Sequence, residues 1–323
     1  MNLRETTRVL VGGLLDGTIT GEAAVAQLSA IELEQLLPSQ LAGAVDAVME
    51  RAAPFPTFPD ALDCCGTGGD GLHSLNISSA AAIVAASCGL QIAKHGNRAV
   101  TSASGSADVL EALGVATGLT PEQSARVLSE TGIAFLFAPT FHPGFARVAP
   151  IRKAIGKRTL FNLLGPLCNP ARVERQLIGV FAAPFCALLA ETSHLLGRKQ
   201  VMVVHGEDGS DELSISGSSH VAELKDGKVS YVAIRPQDAG LKPHPVAALR
   251  GSSAANNADA LRDVLCGKSN AYADAVILNT AAVLVLAGKA GAIYDGAIMA
   301  RNAIALGKAT RKLDELIEAT HSV

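Results

Sequence analysis

The glycine-rich stretch 66–71 constrains this chain more than any other part of its sequence. Four of its six residues are glycine, and residues without a Cβ allow backbone N–H groups to approach a bulky anion closely. A short apolar segment, 61–65, precedes the stretch and predicts a β-strand, and a run of small apolar residues, 80–88, predicts a helix after it. Asn76 or Ser78 would cap that helix. The pattern therefore predicts a strand, a loop and a helix whose positive end faces the loop, an arrangement that attracts anions.

A second loop with related character follows the next predicted strand, residues 90–93. It begins at Lys94, ends near residue 105, and is basic and rich in serine and glycine. Two anion-receptive loops at the ends of neighbouring elements predict a site for a polyphosphate. A glycine turn without a ligand would explain 66–71 alone. It would not explain the polar side chains clustered around both loops, which are Asp70, Asn76, Ser78, Lys94, Asn97 and Arg98.

Two common glycine motifs fit the stretch poorly. Its glycines match the G-x-G-x-x-G spacing, but the dinucleotide fingerprint opens directly into a helix and has an acidic residue about 20 positions later. Here residues 72–75 intervene, and the window near residue 90 contains no carboxylate. A P-loop is excluded because no Gly-Lys-Ser/Thr sequence closes the stretch. These departures argue against a nicotinamide-dependent oxidoreductase.

Composition limits the partners and the location of the chain. The formal net charge is −3, whereas nucleic-acid-binding proteins usually carry a basic patch or stripe, so no nucleic-acid partner is expected. The most apolar run, 275–288, contains Asn279 and Thr280 and is shorter than the roughly 20 residues of a membrane span, so it predicts a buried helix and no membrane association. The N-terminus lacks the apolar core of a signal peptide, and a cytoplasmic location is expected.

The order of predicted elements indicates an α/β fold with two parts. Residues 1–52 have the pattern of short amphipathic helices, and three prolines within 54–59 predict a stiff linker. Strands and helices then alternate, which favours a sheet with helices on its faces. A hairpin is predicted from strands 220–224 and 228–234 and the turn 225–227 between them, and the segment 138–144 is predicted to be a loop. We predict a small N-terminal helical domain, 1–58, joined by a helical segment near 150–172, and a large domain, 61–323, with a central, mostly parallel sheet flanked by helices.

An acidic run follows another predicted strand. Residues 200–205 are rich in valine, and residues 207–212 then contain four carboxylates. An acidic run alone indicates a solvated turn. Ligands of open α/β sheets, however, collect at the carboxyl ends of the strands, and a polyphosphate is accompanied by Mg²⁺, which takes one or two carboxylates together with water and phosphate oxygens. Asp211 and Glu212 are the predicted pair for that ion.

Taken together, these motifs resemble the anthranilate phosphoribosyltransferase family. The matching segments occur in order from about residue 63 to the C-terminal helices and are 66–71, 76–79, 94–98, 105–108, 158–162, 164–167 and 205–212. The resemblance implies an enzyme that transfers the phosphoribosyl group of 5-phosphoribosyl 1-pyrophosphate (PRPP) to the amine of anthranilate and releases pyrophosphate, with Mg²⁺ as its cofactor.

The resemblance also implies roles for individual residues. Those that would bind PRPP are Gly66, Gly69, Asp70, Ser74, Asn76, Ile77, Ser78, Ser79, Lys94, His95, Gly96, Asn97, Arg98, Ser102 and Ser106. Those that would face anthranilate are Gly66, Asn97, His142 and Arg152. Mg²⁺ would be served by Ser78, Asp211 and Glu212. Lys94, Asn97 and Arg152 are implied as positioners of the substrate or the transition state, and no general base is identified. A guanidinium matches a carboxylate bidentately, which suits Arg152; without the resemblance, Arg152 would be taken as a surface charge and His142 as a loop histidine.

The N-terminal region departs from the family pattern. Residues 1–58 are shorter than the family's usual N-terminal helical domain, through which members commonly dimerise, and the resemblance implies a homodimer. Two further alternatives share the scaffold. A pyrimidine nucleoside phosphorylase fits Asn97, Arg98 and the pair Asp211 and Glu212 poorly. A nucleic-acid-binding relative without enzymatic activity would need a basic groove and an eroded metal site.

Overall fold

The computed structural model describes residues 2–99 and 104–323, and its centre is a seven-stranded sheet in the order β3-β2-β1-β4-β5-β6-β7. The strands are β1 (Leu62–Gly66), β2 (Ile92–Gly96), β3 (Ile133–Phe137), β4 (Arg175–Gly179), β5 (Gln200–Gly206), β6 (Ser219–Lys225) and β7 (Lys228–Ile234). The first five strands pair in parallel and the last two pairings are antiparallel. The predicted α/β class and the mostly parallel sheet are confirmed.

The hairpin of β6 and β7 follows from its turn. Asp226 and Gly227 connect the strands and have φ values of +50° and +72°. Positive φ at both central residues is typical of the two-residue turn whose twist matches the flanking strands. The predicted hairpin is therefore confirmed at the edge of the sheet.

Three short helices occupy the N-terminal region: α1 (Leu3–Asp16), α2 (Gly21–Ser29) and α3 (Pro38–Met49). Helix α1 ends at Gly17, whose φ of +74° forms a left-handed cap. Helix α3 lies close against α1 because Gly43 has no side chain: a Cβ there would lie 1.9 Å from the main-chain oxygen of Arg4. The two helices are also joined by the ion pair of Arg4 and Asp46, 2.6 Å apart.

The remaining helices connect and cover the strands. They are α4 (Ile77–Ser87), α5 (Ser106–Ala112), α6 (Pro121–Thr131), α7 (Ala138–Phe141), α8 (Phe145–Ile155), α9 (Phe161–Leu167), α10 (Pro184–Leu195), α11 (Ala254–Leu265), α12 (Ala271–Leu286), α13 (Ile293–Ala305) and α14 (Lys308–Ser322). Helix α12 is buried along nearly its whole length, as its apolar run predicts. Within the described residues, no helix combines the length and apolarity that crossing a membrane requires.

Two apolar cores lie on opposite faces of the sheet. Leu177, Met202 and Val204 belong to the core formed with α4, α6 and α11–α14, whereas Ile178 and Val203 belong to a second core formed with α1–α3 and α8–α10. Alternate residues of a strand point to opposite faces, so one sheet supports both cores. The N-terminal helices thus share a core with the sheet, and the division into domains 1–58 and 61–323 stays a prediction.

Two local predictions were wrong. Lys94, which was expected to open a loop, lies within β2 opposite Phe135 of β3, because pairing with the neighbouring strand overrides the turn character of the glycine and histidine that follow it. The segment 138–144 was expected to be a loop, yet α7 occupies its first half. Pro139 is compatible with that helix because the first turn needs no N–H donor from it.

Candidate active site

The glycine loop 66–71 leaves β1 at the carboxyl edge of the sheet. Gly68, Gly69 and Gly71 have φ values of +64°, +77° and +80°, a region that residues with a side chain rarely adopt. Strands β4 and β5 run parallel to β1 and end at the same edge. The loop therefore lies where ligands of open α/β sheets collect.

Asp211 of the acidic run lies directly on this loop. Its Oδ2 accepts a hydrogen bond of 2.7 Å from the N–H of Gly68. Asp211 lies over the ends of two strands: a Cβ on Gly179 would lie 1.5 Å from the main-chain oxygen of Asp211, and a Cβ on Gly66 would lie 2.2 Å from its side-chain Oδ2. Gly179 had no predicted role, although an isolated glycine within a strand pattern indicates a close backbone approach.

Glu212, Ser78 and Lys94 meet at the start of α4. Glu212 Oε1 accepts a hydrogen bond of 3.1 Å from the N–H of Ser78. The buried Lys94 donates from Nζ to the main-chain oxygen of Cys64 at 2.8 Å and to Ser78 Oγ at 3.3 Å. A cation, a hydroxyl and two carboxylates thus lie together at the positive end of an 11-residue helix, where an anion is favoured.

Burial and mutual repulsion act on both carboxyl groups of this pair. Burial raises the pKa of Asp211, and the neighbouring Asp70 carboxylate raises it further. Burial also raises the pKa of Glu212, with a further rise from Asp211 and only partial opposition from Lys94. A divalent cation beside these groups would favour their charged forms.

The donor set fits Mg²⁺ in particular. Asp211, Glu212 and Ser78 offer oxygen atoms only, which hard cations prefer. In the chain as described, no group of three or more His, Cys, Asp or Glu side chains could hold a metal unaided. That agrees with an ion bound through one or two carboxylates and completed by substrate phosphate oxygens and water.

Asn76 precedes α4 but its side chain does not cap the helix. Its Oδ1 accepts hydrogen bonds from Asn257 Nδ2 at 3.1 Å and from Ser104 Oγ at 3.4 Å, and its main-chain oxygen accepts one of 3.0 Å from Tyr272 Oη. The predicted cap is therefore corrected: the amide is engaged by α11 instead. Sequence reasoning missed Asn257 and Tyr272, and no local pattern marks either residue.

Four further residues that are predicted to bind PRPP lie in the glycine loop or shortly after it. Ser74 forms an isolated antiparallel bridge with Arg250, and Asp70 Oδ1 accepts a hydrogen bond of 3.0 Å from the N–H of Leu72. The buried Ser79 hydroxyl has no hydrogen-bond partner among the described residues, and Ile77 is buried in the first turn of α4. Their roles toward PRPP stay predictions.

Arg98 is already paired with acidic residues of α5. Its guanidinium donates to both carboxylate oxygens of Glu111 at 2.6 and 2.7 Å and to Asp108 at 3.1 Å, and it lies 5.5 Å from the ring centroid of Phe137. The same Asp108 accepts hydrogen bonds from the N–H groups of Ala99 and Gly105. The structure thus places Arg98 in a network that anchors the second loop to α5.

Asn97 and Ser106 lie side by side at the ends of that loop. The main-chain oxygen of Asn97 accepts a hydrogen bond of 3.2 Å from Ser106 Oγ, and Asn97 Oδ1 accepts one of 2.7 Å from the N–H of Arg98. Gly96 allows this approach, because a Cβ there would lie 2.3 Å from Ser106 Oγ. Ser102, which is also predicted to bind PRPP, lies outside the described residues.

His95 and His142 form a buried pair, with ring centroids 5.3 Å apart and ring planes nearly perpendicular. Nδ1 of His95 is 3.1 Å from the main-chain oxygen of Gly165, and Nε2 of His142 is 2.8 Å from that of Cys168. The second ring nitrogen of each has no hydrogen-bond partner among the described residues. Burial lowers the pKa of His95 to about 3 and that of His142 to about 4, so both imidazoles are neutral at physiological pH.

Two arginines near α8 and α9, Arg152 and Arg158, differ in their contacts. The side chain of Arg152 in α8 is partly buried, its guanidinium makes no hydrogen bond or ion pair within the described residues, and burial lowers its pKa. Arg158 donates to the main-chain oxygen of Gly69, and its guanidinium lies 4.1 Å from the ring centroid of Phe181. The sequence analysis placed Arg158 in a motif without giving it a role; here it links the connection before α9 to the glycine loop.

Comparisons with known proteins identify the family. Residues 58–310 match the family model described as glycosyl transferase family, a/b domain. The chain is 43% identical over 320 residues to an anthranilate phosphoribosyltransferase of Rhodopseudomonas palustris strain BisA53, covering 98% of this chain and 94% of that one. It superposes on the crystal structure of anthranilate phosphoribosyltransferase from Thermus thermophilus with a TM-score of 0.93, 39% identity, and coverage of 98% and 95%.

The chain belongs to the anthranilate phosphoribosyltransferase family. The yeast enzyme from Saccharomyces cerevisiae, solved in complex with PRPP and Mg, matches with a TM-score of 0.89, 30% identity, and coverage of 99% and 93%; the same enzyme has been solved with 4-fluoroanthranilate. The resemblance given by the sequence motifs is confirmed, and so is the class of the enzyme, a glycosyltransferase that transfers a pentosyl group. The oxidoreductase, nucleoside phosphorylase and nucleic-acid-binding alternatives are not retained.

For an anthranilate phosphoribosyltransferase, the structure sorts the predicted site residues into two groups. The glycine loop, the start of α4, Lys94 and the acidic run lie together at the edge of the sheet. His142 directly follows α7 and Arg152 lies on α8, on the side of the second core.

Proposed function

We propose that this protein transfers the phosphoribosyl group of PRPP to the amine of anthranilate and releases pyrophosphate. The observation that carries the proposal is the contact of Asp211 with Gly68, which joins the glycine loop to the acidic run in a chain of this family. A loop for phosphate and carboxylates for its metal ion are the two halves that a magnesium-pyrophosphate leaving group needs.

The edge of the sheet suits the pyrophosphate end of PRPP. Backbone N–H groups of the glycine loop and the positive end of α4 are donors for phosphate oxygens, and Lys94 adds a buried positive charge. Asp211, Glu212 and the hydroxyl of Ser78 would hold Mg²⁺. When bound, the ion supplies neutralisation of the charge that develops on the departing pyrophosphate.

The region of α7 and α8, which contains His142 and Arg152, suits anthranilate. Arg152 has no partner within the described residues, so its guanidinium is available to pair with the substrate carboxylate. His142 presents a neutral imidazole nearby in the fold, and Asn97 lies at the end of the second loop. These positions support the predicted acceptor set without making any of these residues a general base.

The chemistry asks mainly for alignment and charge stabilisation. The bond between C1 of the ribose and the pyrophosphate oxygen breaks with its electron pair on the oxygen, the bond between C1 and the amine nitrogen forms, and the amine loses one proton to the released pyrophosphate or to water. Positioning the weak nucleophile against C1 and stabilising the leaving group are effects that a preorganised site supplies.

The decisive test follows the fluorescence of anthranilate with purified protein, PRPP and Mg²⁺, omitting each in turn. Loss of fluorescence that requires all components supports the transferase. No loss, together with PRPP binding measured by calorimetry, would overturn anthranilate as the acceptor. Absence of both would overturn the proposed function as a whole.

We also propose that the protein is a homodimer formed through its N-terminal helices. Leu3 and Val9 of α1, Leu37 before α3 and Leu195 at the end of α10 are large apolar side chains that expose 44–52% of their surface. Arg4 Nη1 donates to the main-chain oxygen of Leu195 at 3.2 Å, so α1 and the end of α10 are neighbours. Light scattering would give the mass of a dimer, and Val9→Glu would shift it toward the monomer.

A further inference from the structure

Four consecutive main-chain oxygens at the end of α9 each accept a hydrogen bond from a side chain distant in sequence. His95 donates to Gly165 at 3.1 Å, Gln176 to Pro166 at 2.8 Å, Arg198 to Leu167 at 2.7 Å, and His142 to Cys168 at 2.8 Å; this list covers residues 165–168. The last carbonyl groups of a helix have no partner within the helix. Here the side chains that supply those partners fix the backbone of 165–168 from several directions.

The donors in the middle of this segment belong to a buried network. Gln176 is fully buried, and besides its bond to Pro166 it donates to Asp63 Oδ2 at 3.0 Å. Its Oε1 accepts a hydrogen bond from Nη1 of Arg198. Asn169 donates to the same Asp63 oxygen at 2.9 Å and to the main-chain oxygen of Ala93 at 2.8 Å. The network therefore ties the end of α9 to β1, β2 and β4.

The fixed carbonyl groups determine which nitrogen of each histidine carries the proton. A main-chain oxygen can only accept, so Nδ1 of His95 and Nε2 of His142 must be the protonated atoms. The other nitrogens, Nε2 of His95 and Nδ1 of His142, are buried acceptors without a partner among the described residues. His142 is one of the residues that the resemblance implies for anthranilate, so the orientation of its ring bears on how the aromatic amine is held.

We infer that Arg198 is a positioning residue for the aromatic amine substrate, acting through the main-chain segment 165–168 on the imidazoles of His95 and His142. The inference rests on the proposed function for the identity of that substrate. Arg198 is not among the residues predicted to contact a substrate; its guanidinium bridges the main-chain oxygen of Leu167 and the side chain of Gln176. In the chain, Leu167 lies between the two residues whose carbonyl groups bind the histidines. Loss of the bridge from Arg198 would therefore let both carbonyl groups shift, and the two imidazoles with them.

The chemistry of the bridge favours arginine over lysine. A planar guanidinium presents several N–H donors in a rigid fork, whereas an ammonium is a compact charge on a flexible stem. Arg198→Met removes both donors and keeps the aliphatic part of the side chain. Arg198→Lys keeps one donor and the charge, and it provides a second variant if Arg198→Met does not fold.

The control is an arginine of the same kind elsewhere. Arg301 of α13 donates to the main-chain oxygens of Ala239 and Gly240 at 3.3 Å each, and it belongs to neither the site nor the network. Arg301→Met therefore removes a comparable bridge between a side chain and backbone carbonyl groups, and we expect it to leave both substrate KM values unchanged.

The experiment measures steady-state kinetics and histidine tautomers on the same proteins. For Arg198→Met we expect the KM of anthranilate to rise about tenfold or more, as misplacement of a positioned reactant by a fraction of an ångström would cause, with the KM of PRPP within about twofold of wild type. The KM of anthranilate for Arg198→Lys should lie between those of wild type and Arg198→Met. Equal increases in both KM values, or an effect no larger than that of Arg301→Met, would overturn the inference.

The tautomers are read from ¹H–¹⁵N correlation spectra of the imidazoles, assigned with His95→Gln and His142→Gln. Wild type should show His95 protonated on Nδ1 and His142 on Nε2, and Arg198→Met should show a mixture for at least one of them. Unchanged tautomers would overturn the inference. Because this readout needs no turnover, it still tests the role of Arg198 if the wild-type protein fails the transferase assay, a result that would count against the proposed function alone.

Discussion

The carboxylate of Asp211 accepts a hydrogen bond of 2.7 Å from the N–H of Gly68, and the carboxylate of Glu212 accepts one of 3.1 Å from the N–H of Ser78. Both donors lie in the loop and helix end that are suited to phosphate. The two carboxylates thus accept hydrogen bonds from backbone donors that a bound phosphate could also use.

The first prediction concerns this pair. We expect the double variant Asp211→Asn and Glu212→Gln to raise the Mg²⁺ concentration for half-maximal activity by about tenfold or more, because an amide is a far weaker ligand for a hard cation than a carboxylate. A Mg²⁺ titration at saturating PRPP measures the change. Glu207→Gln, an exposed member of the same acidic run, is the control. An unchanged titration would remove the pair from the metal site.

The second prediction concerns Gly179. A Cβ at this position would lie 1.5 Å from the main-chain oxygen of Asp211, so Gly179→Ala must displace the acidic run. We expect a loss of stability of about 1–3 kcal/mol, as for other overpacked sites, and a loss of activity that added Mg²⁺ restores only in part. Thermal unfolding and the transferase assay test it. Gly118→Ala, where a Cβ would meet no atom within 4 Å, should have little effect; similar results for both variants would contradict the argument.

The third prediction concerns Arg152. Arg152→Met should raise the KM of anthranilate about tenfold or more, since a charge-assisted bidentate contact would be lost, while leaving PRPP affinity within about twofold. Kinetics with each substrate varied in turn measure the split. Lys153→Met, at the exposed neighbouring position of α8, controls for the change in charge. Equal losses for both substrates would show that Arg152 does not discriminate between them.

The fourth prediction concerns pH. The pKa values of His95 and His142 in the folded protein, about 3 and about 4, lie below the value near 6.5 that is normal for an unfolded chain. As the pH falls, the unfolded state therefore binds protons first, so this stabilisation is complete above pH 6.5 and declines toward the folded values. The expected loss is on the order of 1–2 kcal/mol per histidine between pH 6.5 and 5.

This loss is measured by comparing wild type with the double variant His95→Gln and His142→Gln in denaturant unfolding at several pH values. The difference in the free energy of unfolding between the two proteins should shrink as the pH decreases. Carboxyl groups with raised pKa values, such as Glu212, change stability in the opposite direction, but they are present in both proteins and cancel in the difference. A difference that is constant with pH would mean that the histidines are not held neutral.

Sequence reasoning placed the glycine loop and the acidic run at one edge of the sheet because each follows a predicted strand. Asp211 and Gly66 are far apart in the chain, yet each follows a predicted strand, and parallel strands bring their carboxyl ends to one edge. The mistaken cap at Asn76 has the opposite cause. Its partner Asn257 is 181 residues away, and neither residue carries a local pattern that could announce the contact.

The buried network was equally invisible in the sequence. Arg198 follows a helix and precedes a strand, where an arginine normally indicates a solvated turn. Its hydrogen bond to the main-chain oxygen of Leu167 depends on tertiary structure. Lys94 shows the intermediate case: its role near phosphate was inferred from the motif, but its place within β2 depends on pairing with β3. The residue types thus predicted which groups could bind phosphate and metal, whereas contacts between residues distant in sequence determined where those groups lie.

The core shared by the N-terminal helices and the sheet limits how this protein can be recombined. Val11 and Leu41 pack in the same cluster as Ile178, Val203 and Leu224 of the sheet. A chimaera that takes residues 1–52 from a relative would join two apolar surfaces that were never fitted to one another, and a truncation at the proline linker would expose a bare sheet face prone to aggregation. The permissible crossover points for chimaeras are therefore set by the sheet face and not by the linker.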